Sequence, residues 1–99
     1  MHGTRVQYKD APADGLTVRL IQTWRRGDID HAVMSASSGP KDYVKNVIFA
    51  LFEANSRIDT VLMVRASGPP FLLVRAGRSY FDMSNKEVEG VEELCASSV

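Results

Sequence analysis

The chain has 99 residues, 44% of them hydrophobic and 24% charged, with zero formal net charge. That is the composition of one soluble globular domain, large enough for a single core, and it excludes a disordered chain. The longest uncharged apolar run, Val47 to Phe52, is too short to cross a bilayer, so no membrane partner is expected. Cys95 is the only cysteine, which excludes an internal disulfide and a cysteine-rich zinc site. With no apolar segment in the opening "MHGTRVQYKD", a reducing, cytoplasmic location is the expectation.

Thr4 to Lys9 reads as a short edge strand, followed by a turn at "APADG". Leu16 to Ala36 admits two readings. As helices, Leu16, Leu20, Ile21 and Trp24 share one face, and Ile29, Ala32, Val33 and Ala36 another. As a hairpin, Leu16 to Arg26 pairs with Ile29 to Ser37 across a type II′ turn at Gly27 and Asp28. The hairpin is favoured by Thr17, Val18, Ile21, Thr23 and Trp24, which suit a strand. Its register sets Trp24 beside His31 on the core face and Arg25 opposite Asp30 on the other.

Gly39 to Asn55 is the clearest helix. Pro40 suits the first helical position, and Asn55 a left-handed C-terminal cap. Val44, Val47, Ile48, Leu51 and Phe52 form an apolar stripe, widened by Tyr43 and Ala54. At about 100° per residue, Phe49 falls on the wet side between Lys45 and Glu53. A large aromatic there suggests a contact with a second subunit.

Three strands follow, at Ile58–Ala66, Phe71–Ala76 and Tyr80–Met83. "LMVRASGPPF" and "LLVRAGRSYF" echo each other and present Arg65 and Arg75. A buried unpaired arginine is costly, so an odd loop is expected, with both arginines on an open sheet face. Ser84 to Ala96 reads as a second helix. Ser84 and Glu87 match a capping box there, and Val88, Val91 and Cys95 make a narrow apolar stripe.

The expected fold is therefore α+β: a two-layer sandwich, mostly antiparallel, with helices on one face and the order β-ββ-α-βββ-α. That order is similar to the profilin-like or roadblock arrangement of hairpin, helix, meander and helix, without its first helix. The likeness is topological and implies no function.

No motif of strong catalytic or cofactor specificity is present, and no cofactor is expected. Asp28, Asp30 and His31 do not converge in the hairpin as metal ligands must. Residues 1–78 hold eleven Lys and Arg against seven Asp and Glu, whereas 79–99 hold Lys86 against five acids. A basic body with an acidic end is a pointer to self-association or an anionic partner. The leading expectation is a non-catalytic binding or adaptor domain that forms a homodimer through Phe49, Lys45 and Glu53. The alternative is nucleic-acid or other polyanion binding through Arg19, Arg25, Arg65 and Arg75 on one face. A third is a small enzyme with a pocket near Trp24 and His31.

Overall fold

The computed structural model describes residues 4–9, 16–30, 40–65 and 70–91. Six strands follow one another as β1 (Thr4–Tyr8), β2 (Leu16–Arg25), β3 (Ile58–Arg65), β4 (Phe71–Ala76), β5 (Ser79–Asp82) and β6 (Glu87–Glu89). Among the described residues there is one α-helix, α1 (Lys41–Ala54), between β2 and β3. Each strand pairs antiparallel with the next. β1 also pairs with β6, Gln7 opposite Glu89 and Tyr8 opposite Val88, and this closes the sheet into a barrel. Closure removes the unpaired edges that an open sheet must protect.

Strand side chains alternate, and here both faces are buried. Val61 and Met63 of β3 and Leu72, Val74 and Ala76 of β4 pack outward under α1, with Trp24, Val44, Ile48, Leu51 and Phe52. Leu62, Val64 and Leu73 point inward instead, and meet Val6, Tyr80, Val88 and Val91. Two faces in apolar surroundings explain why "VLMV" and "FLLV" are unbroken apolar runs. Each such fully buried side chain stabilises the fold by roughly 1.5–3 kcal/mol relative to exposure.

The domain is α+β, but neither the two-layer sandwich nor its strand and helix order is formed. The face expected to be open does not exist as one surface: Arg25 and Arg75 of it lie on the inner side of the barrel, and Arg19 and Arg65 on the outer side. β1 is not an edge strand, because it is paired on both sides. The profilin-like order fails with it.

Residues 16–25 are a strand, as the hairpin reading required, but among the described residues β2 pairs with β1 and β3, and Ile29 and Asp30, where the hairpin's second strand was expected to begin, are helical. After Arg25 the chain enters a single 3-10 turn, Arg26–Asp28, and Ile29 continues in right-handed helical backbone (φ −58°, ψ −35°). The long apolar β3 is the better partner, since it buries Trp24 against Val61. Arg25 consequently lies across from Thr60 and ion-pairs with Asp59 at 3.6 Å. Asp30, its expected partner, pairs with Lys45 at 2.8 Å. The expected Trp24–His31 pair falls on residues outside those described.

The second helix is also corrected. Asp82 Oδ1 accepts the backbone N–H groups of Ser84 (2.8 Å) and Lys86 (2.9 Å), which builds a tight turn. Asn85 at the tip has φ +63°, a conformation asparagine tolerates. Glu87–Glu89 is then β6, and Gly90 follows at φ +88°. "EVE" alternates with period two, and closing the barrel outweighs its helix propensity. The Ser84–Glu87 capping box does not form; Glu87 accepts from Lys9 Nζ at 3.3 Å. Cys95 lies outside the described residues.

In α1 the stripe packs as expected, with Val44, Ile48, Leu51 and Phe52 buried. Tyr43 does not widen it, being 66% exposed. Pro40 is the N-cap, its carbonyl accepting from Val44 N–H at 3.1 Å. Asn55 is extended (φ −145°) rather than left-handed; its Oδ1 accepts Arg57 N–H at 3.0 Å.

Candidate functional site

The inward-facing rows turn polar at one end of the barrel. On β2, Leu20 is followed past a bulge by Thr23 and Arg25. On β3, Leu62 gives way to Thr60, and on β4, Leu73 gives way to Arg75. Cross-strand pairing sets Arg25, Thr60 and Arg75 side by side on one face. They border a cavity of about 380 Å³ together with Leu20, Thr23, Trp24 and Asp28.

A second bulge, between Ile58 and Thr60, gives β3 its bend at this rim. It holds Asp59 out of the ladder, with its side chain 57% exposed. A polar chain follows. Arg75 Nη2 donates to Thr60 Oγ1 at 3.1 Å, and Thr60 Oγ1 donates to Asp59 Oδ1 at 2.7 Å. Asp59 Oδ2 then faces Arg25 Nη1. Thr60 is only 4% exposed, so its hydroxyl is fixed as the link. Arg75 is half-buried, and among the described residues it makes no ion pair. Its remaining guanidinium N–H groups are therefore available to an acceptor in the cavity.

The four arginines read from the sequence do not share one face. The β3–β4 register, Val64 opposite Phe71, has even parity and sends Arg65 and Arg75 to opposite faces. Arg25 and Arg75 meet at the cavity. Arg19 and Arg65 are direct cross-strand neighbours at the far end of β2 and β3, on the outer face. Like charges directly opposite one another repel, so this second pair weakens the sheet locally.

Trp24 does reach the cavity, although it is 9% exposed and belongs mainly to the core under α1. His31 lies outside the described residues. Phe49 is 41% exposed and sits where the helical spacing put it. Its ring meets Phe52 edge-on at 6.3 Å, and the Lys45 ammonium lies 5.9 Å from its centroid. Glu53 is exposed beside it. Among the described residues, no three His, Cys, Asp or Glu side chains are grouped to hold a metal, and no helix is long and apolar enough to cross a membrane.

The sequence does not single out Thr23, Asp59 and Thr60 as site residues, and it marks Asp28 only as a turn residue and a metal-ligand candidate. Thr60 left a signal: it is the polar residue that begins the run "TVLMV", where a buried hydroxyl must find partners. The other three carry no such mark, because only the pairing of β2 with β3 brings them together.

Compared with known proteins, the chain matches no family model, no curated protein and no solved structure.

Proposed function

We propose that the chain is a small non-catalytic binding domain, and that its ligand presents a carboxylate or phosphate group to Arg75 and Arg25 at the open end of the barrel. Arg75 carries the proposal: a half-buried cation, held at one N–H by Thr60, faces a cavity and has no anionic partner among the described residues. A guanidinium in partly desolvated surroundings binds a planar or tetrahedral oxyanion through paired N–H donors. Asp28 and Asp59 temper the positive charge at the rim. That favours one compact anion over a long polyanion, as does the division of the arginines into two separated pairs. A catalytic role would need a base at the cavity: Asp28 lines it, beside two arginines that favour its role as a counter-charge, and the sequence candidate, His31, is not among the described residues. The single cysteine supports a cytoplasmic setting.

Titration of the labelled protein with sodium phosphate and sodium acetate, at matched ionic strength, tests the proposal by NMR. Saturable shifts at Thr23, Thr60 and Arg75 are expected, and Arg75→Met should weaken them about tenfold, the loss of roughly one charge-assisted hydrogen bond. Arg65→Met, on the outer face, should leave them unchanged. A wild type that responds to neither salt refutes it.

Phe49 favours a second element, a homodimer through the exposed side of α1. Phe49 is exposed there, flanked by Lys45 and Glu53, and Tyr43 is exposed about 120° further round the helix. Sedimentation at micromolar concentration should give a dimer that Phe49→Glu dissociates; a monomeric wild type rules this out.

A further inference from the structure

A second cavity, about 300 Å³, opens at the other end of β4, far along the strand from Arg75. Its walls differ in kind. Phe71, Leu72, Met83 and Val44 give it an apolar lining, and Tyr8 and Asp82 supply an aromatic ring and a carboxylate.

Asp82 is built into the turn in a way that leaves half of it unused. Both backbone N–H groups it binds, those of Ser84 and Lys86, fall on Oδ1. Among the described residues Oδ2 accepts no hydrogen bond, and Asp82 forms no ion pair. A carboxylate on the wall of an apolar cavity favours a cation there. Tyr8 points the same way: the Lys86 ammonium already stands 5.5 Å from its ring centroid, within cation–π range. Burial, and then the negative charge of Asp82, hold the Tyr8 phenol above its usual titration range. The ring therefore stays neutral at physiological pH, and it senses the Asp82 charge, so the two groups belong to one electrostatic site.

We propose that this cavity is a binding site for an organic ammonium group on a short apolar stem, with the cation held between Asp82 Oδ2 and the Tyr8 ring and the stem against Phe71, Leu72 and Met83. The site is independent of the anion-binding end. It has the opposite charge preference and shares no residue with it.

The probes are n-butylammonium chloride and n-butanol, which have the same stem with and without the charge. Each is titrated into the full chain, with sodium chloride holding the ionic strength constant. Butylammonium should give saturable NMR shifts at Tyr8, Phe71 and Met83, and butanol should bind at least about tenfold more weakly. Asp82→Asn keeps a side-chain carbonyl to accept the Ser84 and Lys86 N–H groups, so the turn is retained while the charge is lost. It should weaken butylammonium about tenfold and leave butanol unchanged. Equal binding of the two probes to the wild type overturns the proposal, with no variant needed. So does a folded Asp82→Asn protein that keeps its affinity for butylammonium, or the absence of saturable shifts at these residues.

Discussion

Thr60→Val deletes a single hydroxyl at constant shape, and that hydroxyl joins Arg75 to Asp59. Two hydrogen bonds disappear, each with a net worth of about 0.5–1.5 kcal/mol. Water reaches both former partners, because Arg75 is half-buried and Asp59 exposed, so the lower end of that range applies. The methyl that replaces the hydroxyl is buried in turn and offsets up to about 0.8 kcal/mol. The net cost is therefore under about 1 kcal/mol, or a fall in Tm of at most about 4–8 °C for a domain of this size. Thr60→Ser keeps the hydroxyl and loses one buried methyl, which also costs about 1 kcal/mol. The two variants should thus melt within about 1 kcal/mol of each other in calorimetry, with Thr60→Val no less stable than Thr60→Ser, and differ in function. Thr60→Val frees Arg75 from its acceptor and should weaken phosphate binding about three- to tenfold, whereas Thr60→Ser should bind as the wild type does. If both variants bind phosphate equally, Thr60 does not position Arg75, and the polar chain at the rim has no role in recognition.

Three further outcomes follow from the packing. Ile48→Ala empties a fully buried position between α1 and the sheet and should cost about 2–5 kcal/mol by chemical denaturation, while Phe49→Ala next to it should cost under about 1 kcal/mol. Gly90→Ala should destabilise by about 1 kcal/mol or more, because the left-handed φ of +88° strains an alanine; a helix across residues 84–96 would instead gain stability from the same change. The folded chain holds the Tyr8 proton more tightly than the unfolded chain does, above the ordinary value of 10.0. That contribution is complete below pH 10.0 and is lost as pH rises through the higher folded-state value. Denaturant midpoints at about pH 8 and about pH 11 should therefore fall further for the wild type than for Tyr8→Phe.

The elements with strong local patterns were legible. Helix α1 carries a full apolar stripe, and β3 to β5 carry β-branched, aliphatic or aromatic runs bounded by glycine, proline and serine, so their positions follow from the sequence almost to the residue. Two segments were misassigned for opposite reasons. At Arg26–Asp28 a good local turn signal lost to a distant partner, because β3 offered β2 a longer apolar face than residues 29–37 could. At Ser84–Gly90 a helical signal, with Ser84 and Glu87 at capping-box spacing and Val88, Val91 and Cys95 as a stripe, lost to the need to fill the gap between β5 and β1. Neither competition shows in a window of ten residues. The arginine site was half legible for the same reason. Arg25 and Arg75 were picked out by type, but which arginines share a face depends on one register, and a one-residue change in loop parity reverses it.

The short pairing of β1 with β6 also governs how the chain reaches its fold. Lys9 and Glu87, which join these two strands, are 78 residues apart, so barrel closure is the longest-range strand pairing among the described residues. Contacts of such separation form slowly, because the intervening loop entropy is lost before they reward it. On a ribosome, β1 is made first and waits until residues 87–89 emerge. During that interval β1 and β5 each present an unmatched row of backbone donors and acceptors, the surface on which strands of different chains join. The three residues of β6 thus act as a fastener, and conditions that delay their docking favour association between nascent chains over completion of the barrel.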